Sequence, residues 1–330
     1  PPNWLCPSPL GLSWGFINFV CLDTPAVYIE KMIATFLSRA YGHAPLMLCL
    51  ATLGWGGNTI ASRLAVGEVS PMMLIFLRWG VVVAIILSLY RKEMLETLPI
   101  MRKRWLWVAL MGGLGLSMFN SLFYIAGHYT TAVNLGIIQS TMPALILMGS
   151  FLVFKTRINL RQCLGLLIAL LGVVAVISQG SWQKLAVLTF NMGDVLMLIA
   201  CLFYSGYTLG LRGRPNVSSM VMMGFFAIFA WLATIPMLAI EAYTTGIIFP
   251  GVNGWLIIAY VAIMPSFLSQ VFFMRGVDLI GPGAAGLYTS MVPVFAAILA
   301  VLLLNESFHL FHLTALILVF AGIYLFEIKK

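Results

Sequence analysis

Long apolar segments, separated by short polar connections, dominate the pattern of hydrophobic and polar positions in this chain of 330 residues. Each segment has roughly the 17–25 residues that an α-helix needs to cross the hydrocarbon core of a bilayer. The pattern predicts an all-α membrane protein with ten transmembrane helices. The predicted helices are 45–65, 71–90, 106–126, 131–153, 161–179, 194–211, 217–240, 254–274, 282–304 and 309–326.

One apolar segment occurs twice. Residues 132–150 read AVNLGIIQSTMPALILMGS, and about 150 residues later the chain reads PGAAGLYTSMVPVFAAILA. Pro143 then aligns with Pro293, and Ser140 with Ser290. A proline inside a helix removes a backbone hydrogen bond, so both helices are expected to bend there. Two interrupted helices at matching positions of two halves are typical of a transporter's binding site.

The duplication extends over the whole bundle. Trp55 in the first predicted helix aligns with Tyr204 in the sixth, and similar pairs relate the third helix to the eighth. The sequence therefore predicts two copies of a five-helix unit, at 32–180 and 181–330. Because each unit has an odd number of helices, the second copy is expected to cross the membrane in the opposite sense.

The distribution of basic residues supports this inverted arrangement. If the N-terminus is cytoplasmic, Arg63 and Lys184 are outside and Arg78 lies within a helix, while the other fifteen of the 18 basic residues are inside. Such a bias follows the positive-inside rule and predicts that both termini are cytoplasmic. The inside residues are Lys31, Arg39, Arg91, Lys92, Arg102, Lys103, Arg104, Lys155, Arg157, Arg161, Arg212, Arg214, Arg275, Lys329 and Lys330.

Composition excludes an ordinary soluble domain. Hydrophobic residues make up 62% of the chain and charged residues 8%, and the mean hydropathy is +1.03, whereas soluble domains carry roughly 25% charged residues. The net charge of +8 therefore reflects loop orientation, and no nucleic-acid partner is predicted. The five cysteines show neither CxxC nor metal-ligand spacing, so no disulfide framework is expected.

The first 31 residues differ from the rest. They are rich in Pro, Trp and Cys, and their apolar run around residues 10–22 is too short to span a bilayer. They also lack the basic start of a signal peptide. We interpret residues 1–31 as a non-native or disordered extension, with Met32 as the natural start.

Three stretches carry a resemblance to a known family. They are LGWGGNTIASR in the first helix, SPMMLIFLRW in the second and GLYTSMVPVFAAILAVLLLNE in the ninth. In this order and spacing the chain resembles the drug/metabolite transporter superfamily, and within it the ten-helix EamA-type branch, over residues 45–326. The resemblance implies export of small metabolites, such as amino acids or toxic analogues, across the bacterial inner membrane. The family often has a Gly-Glu pair after the fourth helix, where this chain has Lys155–Thr156.

Arg78 is the basic residue that lies well inside a predicted span. It follows Pro71 by seven residues, about 10 Å along a helix. An intramembrane charge costs roughly 2.5–3.5 kcal/mol on insertion scales and is a candidate for function in the bundle interior. Arg78 is expected either to bind a substrate carboxylate or hold a gate, or to have a structural role by capping carbonyls or reaching towards an interface.

Polar and aromatic residues near the middle of the helices form the predicted substrate cavity. Such residues also hydrogen-bond between helices, so packing is the alternative for each of them. Asn134, Ser269 and Thr289 belong to the same polar set. The predicted cavity residues are Trp55, Asn58, Thr59, Arg78, Asn120, Tyr124, Gln139, Ser140, Tyr204, Tyr207, Gln270, Tyr288 and Ser290.

The acidic residues that we considered for coupling lie at ends of predicted helices: Glu68, Asp194, Glu241, Asp278, Glu306 and Glu327. Proton coupling usually needs an ionisable relay inside the membrane, so uniport or weakly coupled export is favoured. His309 and His312 have HxxH spacing without a third ligand nearby, which favours interfacial histidines over a metal site. We predict no catalytic residue, metal or cofactor.

Other functions remain as alternatives. A lipid-linked sugar flippase or a nucleotide-sugar carrier belongs to the same class, although the latter needs several cations for phosphate. A membrane-embedded enzyme, a channel or a non-transporting sensor is less favoured. The sequence has no HExxH, GxSxG or buried Asp pair for such an enzyme, and no continuous polar stripe for a channel. We therefore expect a small zwitterionic or neutral substrate, with lipids as the other contacts and a monomer as the simplest assembly.

Overall fold

The computed structural model describes residues 41–130, 132–186, 191–304 and 307–328. The predictions for residues 1–31 and for Glu306 lie outside this part. The helices are α1 (Ala44–Leu64), α2 (Pro71–Lys103), α3 (Trp105–Ala126), α4 in two parts (Ala132–Gln139 and Met142–Phe154), α5 (Leu160–Ile177), α6 (Met192–Gly210), α7 (Ser219–Thr244), α8 (252–280), α9 (282–304) and α10 (Leu310–Glu327), with a short helix at Trp182–Ala186.

Six helical stretches in the described residues are long and apolar enough to cross a membrane, and two shorter ones are also apolar. No strand occurs in the same residues. The predicted all-helical membrane fold is therefore confirmed.

The longest stretch, Val252–Leu303, has 52 residues, and a straight helix of that length would greatly exceed the roughly 30 Å of a bilayer core. The stretch is kinked at Gly281, where the backbone is non-helical with φ 82° and ψ 162°, a positive φ that glycine adopts without steric cost.

Helix α2 is longer than predicted. The apolar pattern ends near residue 90, but the helix continues from Pro71 to Lys103. The backbone is non-helical at Tyr90, with φ −124° and ψ 21°, so the helix changes direction where its apolar part ends. Beyond this kink the sequence is rich in charged residues, which explains why a pattern of apolar residues does not detect the extension.

The two glycine-containing helices that end the halves, α5 and α10, pack closely and run antiparallel. A Cβ on Gly165 would lie 2.6 Å from the carbonyl oxygen of Gly322, and a Cβ on Gly172 would lie 2.9 Å from that of Ala315. The earlier residue of α5 thus meets the later residue of α10. The repeat offset of about 150 residues aligns Gly165 with Ala315 and Gly172 with Gly322. The two contacts are therefore equivalent when α5 and α10 are exchanged. This packing agrees with an inverted repeat.

Helices α3 and α8 each contain a π-helical turn, which the sequence pattern did not predict. The turns cover Met111–Met118 in α3 and Ala262–Leu268 in α8. The repeat offset places them at equivalent positions in the two halves. π-Helical turns inside α-helices are rare and occur frequently at functional sites, and both of these turns lie against a neighbouring helix of the other half.

Candidate functional site

A small cavity lies in the middle of the bundle, with an available volume of about 80 Å³. Its walls come from α1, α2, α3, α4, α6, α8 and α9. Amides, hydroxyls and aromatic rings dominate the lining, together with one guanidinium. The lining residues are Trp55, Asn58, Thr59, Ser62, Arg78, Trp79, Leu116, Phe119, Asn120, Phe123, Gln139, Met142, Tyr204, Pro265, Gln270, Thr289 and Val292.

Eight of the predicted cavity residues line this central cavity: Trp55, Asn58, Thr59, Arg78, Asn120, Gln139, Tyr204 and Gln270. Tyr124, Tyr207 and Tyr288 do not line it. The hydroxyl of Tyr207 donates to Oε1 of Gln270 at 3.3 Å, and that of Tyr288 donates to Oε1 of Glu327 at 2.8 Å. These two tyrosines therefore connect helices next to the cavity. The Asn134 side chain lies outside the described residues.

Arg78 contributes the positive charge of the cavity and is 3% exposed. Its Nε donates to the hydroxyl of Ser266 at 2.7 Å, and that hydroxyl donates to the carbonyl of Val261 at 2.5 Å. Ser266 belongs to the π-helical turn of α8, so the irregular backbone places its hydroxyl against α2. The Nη1 atom of Arg78 is buried and has no hydrogen-bond partner. A guanidinium in this setting can accept an anionic ligand.

Aromatic rings close one end of the cavity. The Tyr204 ring lies 5.8 Å from the Trp55 ring, 5.1 Å from Phe119 and 5.5 Å from Tyr207, measured between centroids. The indole nitrogen of Trp55 donates to the carbonyl of Pro265 at 3.1 Å, which fixes its ring. Phe273 adds a further ring at 5.2 Å from Trp55. We call these five side chains the aromatic layer.

An ion pair lies beyond the aromatic layer. Arg214 follows Tyr207 by seven residues, and Asp278 follows Phe273 by five. Nε of Arg214 donates to Oδ1 of Asp278 at 2.9 Å, and a second bond joins Nη2 to Oδ2. This bidentate geometry gives the strongest form of the pair. A separate pocket of about 470 Å³ at this end has no lining residue in common with the central cavity. We call this side of the bundle the closed end.

A larger space of about 900 Å³, the vestibule, opens on the opposite side between α1, α4, α5, α9 and α10. Its lining includes Arg63 and His309. Five residues line both the vestibule and the central cavity, which are therefore continuous. The shared residues are Thr59, Phe123, Gln139, Thr289 and Val292.

The two proline-containing helices α4 and α9 form a wall of the vestibule, and Ser140, Ser290, Pro143 and Pro293 line it. Helix α4 is interrupted at residues 140–141 and resumes at Met142, so that Pro143 lies in its first turn, where the missing N–H costs no hydrogen bond. Residues Tyr288–Ser290 form a 3₁₀ turn before the matching part of α9. Both helices thus change conformation just before the proline.

His309 and His312 cap a helix. The backbone N–H of His309 donates to Nδ1 of His312 at 2.9 Å, at the start of α10. No group of three potential metal ligands occurs in the described residues. The hydrogen bond between His309 and His312 is the contact that their HxxH spacing makes in this structure.

Several cavity residues were not predicted: Ser62, Trp79, Leu116, Phe119, Phe123, Met142, Pro265 and Val292. Most are apolar, and in an apolar helix nothing distinguishes a ring that faces a cavity from one that faces lipid. The spacing of Phe119 and Phe123, four residues apart and next to the predicted Asn120, is a signal that could have indicated a common face.

Sequence comparison identifies the same duplication. The sequence model described as the EamA-like transporter family matches twice, at residues 43–178 and 191–328. The chain is 26% identical over 306 residues to YetK of Bacillus subtilis strain 168, called an uncharacterized transporter, which covers 92% of each chain. It is 24% identical to the uncharacterized inner membrane transporter YedA of Escherichia coli K12, over 83% of this chain and 90% of YedA.

A solved crystal structure has the same fold. It superposes with a TM-score of 0.71 at 20% sequence identity, and the match covers 86% of this chain and 96% of the other. At this identity the likeness concerns the arrangement of helices alone. Because it spans nearly all of the solved chain, it supports the helix arrangement that encloses the cavity.

Proposed function

We propose that this chain, which belongs to the EamA-like transporter family of the drug/metabolite transporter superfamily, is a secondary transporter that exports small metabolites. The chain is a multi-pass inner-membrane protein. The proposed substrates are amino acids, their analogues or similar small zwitterionic or neutral compounds. The observation that carries this proposal is a central polar cavity that is continuous with a vestibule on one side and closed on the other.

The proposed topology has ten membrane crossings and two cytoplasmic termini. Its support is the bias of basic residues towards one side, the two matches of one family model and the antiparallel contact of α5 with α10. In this topology the vestibule faces outwards and the Arg214–Asp278 pair lies at the cytoplasmic side. A fluorescent protein that folds only in the cytoplasm, fused after Lys330, is expected to fluoresce. A dark but inserted fusion would contradict the topology.

The described geometry corresponds to an outward-facing state of an alternating-access cycle. Access from the cytoplasm requires that the aromatic layer separates and that Arg214 releases Asp278. Movement of the two halves about the centre would open this end and narrow the vestibule. The changes of helical conformation in front of Pro143 and Pro293 supply places where α4 and α9 can bend.

The described carboxylates support uniport or weak coupling, because several are engaged in structural contacts away from the cavity. Glu241 accepts from the backbone N–H groups of Met72 and Met73 at 3.1 and 3.2 Å. Asp194 accepts from the backbone of Asn191 at 2.9 Å in a capping box. Such groups hold helix ends, whereas proton coupling usually needs an ionisable relay inside the membrane.

Untargeted mass spectrometry of spent medium tests export. Cells that express the protein are expected to accumulate at least one small metabolite outside, relative to cells with an empty vector. Gln139→Ala should reduce this accumulation, because Gln139 lines both the cavity and the vestibule. Gln183→Ala, at an exposed position, is the matched control. If no metabolite changes with any variant at equal membrane abundance, export is the wrong function.

A further inference from the structure

The charge of Arg78 has no anionic partner among the described residues, although its guanidinium lies 5.6 Å from the ring centroid of Trp79. The side chain is 3% exposed and one of its three nitrogens bonds a neutral hydroxyl, while Nη1 is buried without any acceptor. The described residues contain no ion pair to Arg78, and Glu241 of α7, which lies against the start of α2, is held by the backbone of Met72 and Met73. A buried charge without a counter-charge is costly, so an anion that enters the cavity gains affinity from it.

The other polar groups of the central cavity are neutral. Apart from Arg78, the described lining contains amides and hydroxyls but neither a carboxylate nor a second cation. A ligand with a single negative charge therefore makes the loaded cavity neutral. A zwitterion adds a buried ammonium with no carboxylate to receive it, and a cation places two like charges in one small space.

Asn58 supplies a second unmatched atom. Its Oδ1 is buried and accepts no hydrogen bond, and its side chain lines the same cavity as Arg78. A hydroxyl on the ligand can donate to this oxygen without adding a charge. The unmatched donor of Arg78 and the unmatched acceptor of Asn58 together fit a 2-hydroxy carboxylate.

The remainder of the lining fits an apolar body. Phe119 lies 5.1 Å from Tyr204 and 6.5 Å from Phe123, and Trp55 lies 5.8 Å from Tyr204. Phe123 also lines the vestibule, so a ring bound there can extend from the 80 Å³ cavity into the larger space. Aromatic side chains provide stacking and edge contacts for another ring.

We infer that Arg78 binds the carboxylate of a monoanionic substrate, with a neutral hydroxyl at Asn58 and an aromatic or other apolar body along Trp55, Phe119 and Phe123. This inference rests on the proposed export of small metabolites, and it assigns a monoanionic carboxylate in place of the zwitterionic or neutral substrates proposed above. The carboxylate is required for binding, and an α-amino group is dispensable. Aromatic 2-hydroxy acids are the class that satisfies all three parts of the site.

Binding to the purified full chain in lipid nanodiscs tests the ligand chemistry. The probes are 2-hydroxy-3-phenylpropanoate, 3-phenylpropanoate, phenylalanine and 2-phenylethylamine, measured by calorimetry at pH 7. We expect the hydroxy acid to bind most tightly and the amine not to compete with it. A tighter affinity for phenylalanine or for the amine would overturn the inference, as would failure of both carboxylates without an amino group to bind.

Substitutions of Arg78 test the assigned contact. Arg78→Gln is expected to weaken binding of 2-hydroxy-3-phenylpropanoate on the order of 100-fold, since it removes one partner of a buried charge pair. Arg78→Lys keeps the charge without the planar fork and should lose less. Arg91→Gln, an exposed position on the same helix, is the control and should bind as the unmodified chain does.

Failure of this inference differs from failure of the proposed function. Undiminished binding of the hydroxy acid by a folded Arg78→Gln protein would overturn the role of Arg78. If the medium of expressing cells contains only amines or neutral compounds as exported species, export stands and the carboxylate site is wrong. If carboxylates are exported and their flux in proteoliposomes depends on Arg78, both statements are supported.

Discussion

Helices α2 and α7 occupy equivalent places in the two halves, yet they pack in different ways. Helix α2 meets the π-helical turn of α8 through Arg78 and Ser266, and the central cavity lies beside this contact. Helix α7 meets the π-helical turn of α3 through Phe226, which is fully buried. The repeat offset aligns Arg78 with an apolar stretch of α7 around residues 226–228. The duplicated π-helical turns thus lie beside a cavity in one half and in a close-packed contact in the other.

The starts of the same two helices differ as well. The backbone N–H groups at the start of α2 donate to the carboxylate of Glu241, which is distant in sequence. The start of α7 uses its own cap, because the N–H of Val221 donates to the hydroxyl of Ser218 at 3.3 Å. Helix α2, which carries the positive charge of the cavity, therefore depends on the other half of the molecule for its position.

The largest expected effect on stability concerns the close-packed contact between α7 and the π-helical turn of α3. In Gly112→Val the new Cβ would lie 2.2 Å from the carbonyl oxygen of Phe226, and backbone atoms cannot give way as side chains do. We expect a loss of about 3 kcal/mol or more in the free energy of unfolding, or no folded protein. Gly113→Val is the matched control, because its Cβ would lie 3.7 Å from that of Ala233. Equal thermal stability of the two variants in detergent would contradict the tight contact.

The next effect concerns the remote cap of α2. Glu241→Gln removes the negative charge that faces two N–H groups at a helix N-terminus. Hydrogen bonds to charged groups contribute about 1.5–3 kcal/mol, so we expect a stability loss of about 2 kcal/mol. Thermal unfolding of the purified protein measures this loss, with Glu96→Gln at an exposed position of α2 as the control. Unchanged stability would mean that Glu241 does not hold α2.

A smaller effect is expected at the contact that positions Arg78. Ser266→Ala leaves Nε without its acceptor, at a cost of about 1–2 kcal/mol, and should weaken substrate binding without removing the charge. Ser121→Ala is the control, since the buried hydroxyl of Ser121 has no hydrogen-bond partner and its loss should be neutral. Binding by calorimetry and thermal unfolding separate the two consequences. Identical behaviour of both variants would contradict the positioning role.

The smallest effect is expected at the local cap of α7. Ser218→Ala removes the hydroxyl that accepts from Val221, and loss of such a cap costs typically about 1 kcal/mol. Ser88→Ala, an exposed mid-helix change, should have almost no effect on thermal unfolding. If Ser218→Ala destabilises more than Glu241→Gln does, the described difference between the two helix starts is wrong.

Much of the bundle was predictable because its signals are local. A run of apolar residues is visible in the sequence itself, and so is the duplication that aligns Pro143 with Pro293. Polar residues in apolar helices pointed to Arg78 and Asn58, which line the cavity. Tyr288 shows the limit of that signal, since its hydroxyl bonds Glu327 away from the cavity. A polar side chain inside an apolar helix needs a hydrogen-bond partner. The sequence does not show whether that partner is a ligand or another helix.

The sequence by itself determined the apolar segments, their duplication and the bias of positive charge, because each is a property of residues close together in the chain or of their repetition. Only the tertiary structure decided that Ser266 would meet Arg78, that Glu241 would hold the start of α2 and that aromatic rings would close one end. These contacts join residues more than 100 positions apart. Their geometry depends on helix packing and on π-helical turns, which no short pattern of residues encodes.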